Sequence, residues 1–202
     1  MVNQYKNLFS EAIRRTVQLD IGITVNDLKL GDKKSKEYKN KENKAGVLNH
    51  LFRCLRDLNS TYLEEDSIEL NVKFKSYLED YLNCPVALTI GSVYFKEKEV
   101  FSLKDGDLND LRYKTSFQNK NINPHVWFTL PSLEIIDLTF LELFNNKRGL
   151  PFRFQKEYEY IFDSIINIYE TEKITYLPTL IGVESLIKMD LIKSYKYEKT
   201  GS

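Results

Sequence analysis

The chain predicts an α+β fold with helices packed on a mainly antiparallel sheet, and three observations carry that expectation. Before residue 84, apolar residues recur at helical spacing in three separate stretches. A run of β-branched and aromatic residues, "VALTIGSVYF", then follows the third of them. Further on, "HVWFTLPSLEIIDLTF" alternates on either side of a short Pro-Ser-Leu break, as the two arms of a hairpin do.

Residues 3–19 read as a first helix, with Tyr5, Leu8, Phe9, Ala12, Ile13 and Val17 on its docking stripe. The lysine-rich stretch 31–44, "GDKKSKEYKNKENK", reads as a solvated loop, since acidic and amide residues interrupt its lysines. A second helix is expected over 45–58, and a third over 67–83 with Leu70, Phe74, Tyr77, Leu78, Tyr81 and Leu82 buried. Extending that stripe backwards by one step lands on Ser67. After the strand, 96–100 reads as a hairpin turn and 102–122 as a polar surface excursion. Beyond the hairpin, a helix is expected over 154–170, an extended segment over 173–182 and a short last helix over 183–192.

With 202 residues, 42% of them hydrophobic, the chain can build one core, so a single domain is expected over 1–202, with its centre at about 60–141 and helical extensions at both ends. Lys plus Arg and Asp plus Glu are equal at 29 each. No global field therefore draws nucleic acid or an anionic membrane. The start "MVNQYKNLFSEAIRR" lacks the pattern of a secretory signal, and no apolar run approaches ~18 residues, so a cytoplasmic protein is expected. Cys54 and Cys84 are too few for a disulfide framework, and with two histidines they do not make a four-ligand zinc site. His50 and Cys54 stand four apart on the second helix, but no further ligands accompany them. Free thiols, no metal and no cofactor are expected.

The hairpin carries the chemistry. Val126, Phe128 and Leu130 share one face of its first arm, and His125, Trp127 and Thr129 the other. On the second arm Ile136, Leu138 and Phe140 oppose Ile135, Asp137 and Thr139. Alternation has a period of two, so the apolar sets coincide only in a register that also puts His125 and Asp137 on a common face. A three-residue loop over Pro131, Ser132 and Leu133 achieves it, setting Trp127 opposite Asp137 and His125 diagonal to it. An imidazole held by a carboxylate has a fixed tautomer and a stabilised imidazolium, which suits a general base. Trp127 would wall the pair from water or contact substrate. The bland alternative is a surface His and a strand-end Asp that merely tolerate each other.

"HVWFTLPSLEIIDLT" resembles the His and Asp strands of the transglutaminase-like, papain-related cysteine enzymes. Their pattern runs from a Cys at a helix start, through a strand, to His-small-Trp and then Asp-x-Thr. Ser67 and its helix, the strand through Gly91, His125-Val126-Trp127 and Asp137-Leu138-Thr139 follow that order, over about residues 60–141. The resemblance implies a papain/transglutaminase-like fold, a protein or peptide substrate, and thiol acyl transfer or amide hydrolysis. It places Ser67 where the family carries its nucleophilic Cys. Cys84 lies at the wrong end of the helix for a thiolate, and Cys54 sits mid-helix among apolar residues.

Four readings of Ser67 fit: a helix N-cap, a natural replacement in an inactive descendant, an engineered Cys→Ser change with the final "TGS" as a cloning scar, or a native serine nucleophile. With a thiol at 67, the helix N-terminus and His125 would lower its pKa and the backbone N–H of residue 67 would help hold the oxyanion. Arylamine acetyltransferases resemble the same triad, so acetyl transfer stays open beside protease, deamidase and transglutaminase chemistry. The alternative from another class is a non-catalytic protein-interaction domain that keeps the fold.

Overall fold

The structure, a computed structural model, describes residues 1–24, 36–58, 63–113, 122–147 and 160–192. Among these residues three helices come first: α1 (Val2–Gln18), α2 (Lys41–Leu58) and α3 (Leu63–Leu82). Then follow β1 (Ala87–Phe95), β2 (Lys98–Phe101), α4 (Asp105–Tyr113), β3 (His125–Thr129), β4 (Glu134–Asp137) and α5 (Phe140–Lys147). The described residues end with β5 (Ile161–Ser164), the short α6 (Ile165–Asn167) running into a π-turn at Ile168–Glu172, β6 (Ile174–Ile181) and α7 (Val183–Lys188). This is an α+β protein built on one curled antiparallel sheet. Among the described residues, no helix is long and apolar enough to cross a membrane.

β1 is the axis of the sheet. β6 runs along one edge of it, while β2 and β3 share the other. β2 takes Val93 to Phe95, β3 takes Ala87 to Gly91, and β4 and β5 continue outward from β3. The two apolar faces of the strands separate as alternation requires. Leu88, Ile90, Val126, Phe128, Ile136 and Leu138 pack against Val47 and Leu51 of α2 and Leu70, Phe74 and Leu78 of α3. Ala87, Val93, Trp127 and Ile135 face Tyr5, Phe9 and Ala12 of α1, with Phe140 and Leu143 of α5.

The hairpin has the register that the pattern demands: Phe128 faces Ile136 and Thr129 faces Ile135. Its loop is Pro131-Ser132-Leu133, closed by Leu130 N–H to Glu134 O at 2.9 Å, with Leu133 in the left-handed region at φ 64°. Lys96 and Glu97 both take positive φ, 48° and 66°, and form the tight turn between β1 and β2.

Five expectations need correction. The third helix starts at Leu63, one turn before Ser67, and the second at Lys41 rather than at residue 45. The stretch 102–122 is no mere polar excursion: it holds α4, because Leu103, Leu108 and Leu111 bury on the main core. The lysine-rich stretch is not simply solvated. Residues 25–35 lie outside the described residues, but the Tyr38 and Lys39 N–H groups donate to the buried Glu134 carboxylate at 2.8 and 2.7 Å. Of the helix expected over 154–170, residues 154–159 lie outside the described residues, Ile161–Ser164 form β5, and only 165–170 is helical, as α6 and the π-turn. Ile161 and Phe162 face opposite cores, and the free edge of β4 needs a hydrogen-bonding partner, so pairing with β4 outweighs the helical periodicity.

Gly91 is the tightest point in the sheet. It lies opposite His125 in the β1–β3 ladder and beside a register shift in the β1–β6 ladder. A Cβ there would sit 2.1 Å from the Leu177 carbonyl oxygen and 3.0 Å from Trp127 Cη2. Backbone cannot yield as a side-chain tip can. Gly91→Ala is therefore expected to destabilise the fold by about 3 kcal/mol, read as a lower urea midpoint with the single Trp127 as the fluorescence probe.

Candidate active site

Asp137 is fully buried at the end of β4, and four donors converge on its carboxylate. His125 Nε2 meets Oδ2 at 2.7 Å, and the Tyr176 hydroxyl donates to the same oxygen at 2.7 Å. The Thr139 and Phe140 N–H groups donate to Oδ1 at 3.0 Å each. Asp137 thus caps the first turn of α5 with one oxygen and holds the imidazole with the other.

An ionised carboxylate only accepts, so the bond at 2.7 Å requires a proton on His125 Nε2. In the neutral ring Nδ1 is then the bare, basic nitrogen. Aromatic rings fix the plane: Phe101, at the end of β2, stacks on the imidazole at 4.5 Å between centroids, and Phe140 meets it edge-on at 5.8 Å. The ring is 2% exposed, so nearly all its surroundings are protein.

His125 and Ser67 line one cavity of about 140 Å³, with Asn71 and Ile68 of α3, Phe101, Thr139 and the 122–124 segment in its wall. The cavity lies where β2 and β3 part along their shared edge of β1. The structure thus brings Ser67 and His125 to one space and ties His125 to Asp137. Ser67 is the fifth residue of α3, however, beyond the four N–H groups that a helix leaves unpaired. Its N–H belongs to the helical ladder, so the expected oxyanion role for that group fails. The helix-terminus field on residue 67 is correspondingly weak, since it falls off within the first turn.

Trp127, expected beside substrate, is fully buried and lies outside the cavity wall, its indole N–H donating to the Tyr5 hydroxyl at 2.9 Å. It packs 6.3 Å from His125 and 5.0 Å from Tyr176, as part of the support beneath the site. The other polar candidates stay apart. His50 stacks on Tyr77 at 3.3 Å, and burial pushes the Cys84 thiol up to about 11, further raised by Glu79 and Glu134. A thiol so shifted is a poor nucleophile at neutral pH. Among the described residues no three metal-ligating side chains gather.

Two members of the site escaped the sequence reading. Tyr176 lies on β6, on the far side of β1 from Asp137's strand, and no local pattern announces that crossing. Asn71 did leave a signal: it is four residues after Ser67 and so on the same helical face.

Burial, together with the neighbouring Asp137 charge, holds the Tyr176 phenol well above its ordinary 10.0, and burial raises Tyr5 and Tyr160 as well. These groups stay protonated in the fold but ionise on unfolding in alkali. Their contribution to stability is complete below pH 10 and declines as pH climbs from there towards the folded values. Tyr176→Phe is expected to cost about 2 kcal/mol at neutral pH, through the lost bond to a charged acceptor. It should also make the alkaline decline shallower without abolishing it, since Tyr5 and Tyr160 remain. Urea melts of both proteins at pH 7 and at pH above 10 check both effects.

No protein-family model matches this chain, and no curated protein or solved structure matches it either, so the geometry of Ser67, His125 and Asp137 carries the functional reading alone.

Proposed function

We propose that the chain is a transglutaminase-like, papain-type acyl-transfer or amide-hydrolysing protein acting on protein or peptide substrates, with Ser67 in the nucleophile position, His125 as general base and Asp137 as its orienter. The single observation that supports this reading most is the His125–Asp137 bond at 2.7 Å, formed at 2% and 0% exposure beside a cavity that Ser67 also lines. A buried imidazole with one nitrogen committed to a carboxylate and a serine across a small cavity is the arrangement that acyl transfer needs. The order of helix, strand, His strand and Asp strand along the chain supports the papain/transglutaminase-like assignment.

The steps follow from the groups present. Ser67 Oγ attacks a substrate carbonyl carbon as its proton passes to His125 Nδ1, and the new O–C bond makes a tetrahedral centre. Collapse breaks the C–N bond, with the proton on His125 passing to the departing amine. Asp137 stabilises the imidazolium between these two transfers without itself taking the proton. Water or a second amine then releases the acyl group, with His125 again as base.

The displaced position of Ser67 favours a second reading. An alcohol needs stronger activation than a thiol, and the N–H of residue 67 is engaged in its helix. A descendant that has lost catalysis and binds a protein partner would keep the buried His125–Asp137 pair for the stability it gives α5 and β3.

Ser67→Cys separates the two. The catalytic reading expects a thiol that iodoacetamide alkylates at least ~10-fold faster than Cys54 or Cys84 at pH 7, through thiolate formation beside His125. That advantage should vanish in Ser67→Cys, His125→Ala. A rate no faster than the two native cysteines supports the binding-domain reading, which also expects partner capture to survive His125→Ala.

A further inference from the structure

Asn71 is 1% exposed and lines the cavity from α3, four residues beyond Ser67. Its side-chain amide has a fixed orientation, because Nδ2 donates to the Ser67 carbonyl oxygen at 2.7 Å. The opposite end is left over: among the described residues, Asn71 Oδ1 has no hydrogen-bond partner. A buried acceptor without a donor costs roughly 1–3 kcal/mol. Such a group is found in native proteins where something else supplies the donor.

The rest of the cavity narrows what that donor is. Its other described walls are Ser67, Ile68, Asn123, His125, Val126, Thr139, the rings of Phe101 and Pro124, and the ends of aliphatic side chains, and among the described residues no Lys, Arg, Asp or Glu lines it. A carboxylate or ammonium entering it would lose hydration with no counter-charge among those walls. The volume of about 140 Å³ holds roughly four or five non-hydrogen atoms. Asn71 Oδ1 is thus an acceptor open to a small, uncharged group bearing its own N–H.

We infer that Asn71 Oδ1 is the recognition element of a small-ligand site in this cavity, accepting a hydrogen bond from the N–H of an uncharged amide and so selecting amides over esters, ketones and carboxylates. This rests on the acyl-transfer reading for its place in the reaction, where an N–H held on Asn71 would orient the amide against Ser67. The binding itself requires no turnover. A site whose buried acceptor is left unpaired by the wrong ligand discriminates against that ligand far more strongly than a merely apolar pocket.

The experiment uses the full chain and three isosteric probes, propionamide, butanone and propionate, with binding followed by chemical-shift changes of His125 and Thr139. Propionamide is expected to bind at least ~10-fold more tightly than either of the others, the worth of one buried hydrogen bond. In Asn71→Leu that preference over butanone should disappear. Equal binding of propionamide and butanone to the unaltered protein, or binding of neither, overturns the inference without reliance on any variant. An amide preference that persists in folded Asn71→Leu overturns it too. Failure of the acyl-transfer reading looks different: Ser67→Cys then gains no fast alkylation while propionamide still binds through Asn71.

Discussion

The buried carboxylate of Asp137 is the constraint around which the site is arranged. A charge with no solvent exposure survives in the fold only when donors surround it, and here they come from three directions: the ring of β3, the phenol of β6 and the backbone of α5. Each donor fixes a different part of the molecule. The two N–H groups start α5 at Phe140, the phenol ties β6 across the curled sheet, and the imidazole fixes the first residue of β3. One side chain thereby sets both the geometry of the cavity wall and the tautomer of the imidazole within it.

The cavity itself is a consequence of sheet topology. β2 and β3 divide one edge of β1 between them, and the edge opens where they part. Ser92 bridges the gap by bonding Leu103 through its hydroxyl, at 2.9 Å from the Leu103 N–H and 3.2 Å to its carbonyl. Phe101, the last residue of β2, and His125, the first of β3, are thus brought face to face. The opposite edge explains the glycine: β6 presses its Leu177 carbonyl onto Gly91, where no side chain fits. A second polar network, from Trp127 through Tyr5 and Thr129 to Thr89, braces the same face beneath the site, with bonds of 2.7 to 2.9 Å.

Much of this was legible where the sequence is locally redundant. The hairpin register followed from two sets of alternating residues and a three-residue loop, and the His125–Asp137 pairing came with it, because a slip of one residue would have reversed every face. Ser67 was legible as a stripe position on its helix, but not its depth in that helix, since a serine there reads equally well as a cap and as an interior residue. The strand at Ile161–Ser164 was read as helix because Ile161, Phe162, Ile165 and Ile166 recur at helical spacing, and pairing with the edge of β4 overrides that periodicity at 161–164. Tyr176 was beyond reach for a similar reason: its partner is set by strand order, which no stretch of sequence encodes locally.

The site depends on the proton that His125 holds between its ring and Asp137. Long-range nitrogen–proton correlation spectra of the imidazole groups read this directly, and with only two histidines the His125 signals are assigned by comparison with His50→Asn. The neutral ring of His125 should carry its proton on Nε2, with Nδ1 bare, and Asp137→Asn should weaken that preference. A proton on Nδ1, or the averaged pattern of a free imidazole, would contradict this, because the ring would then not be held by Asp137 through an Nε2–H.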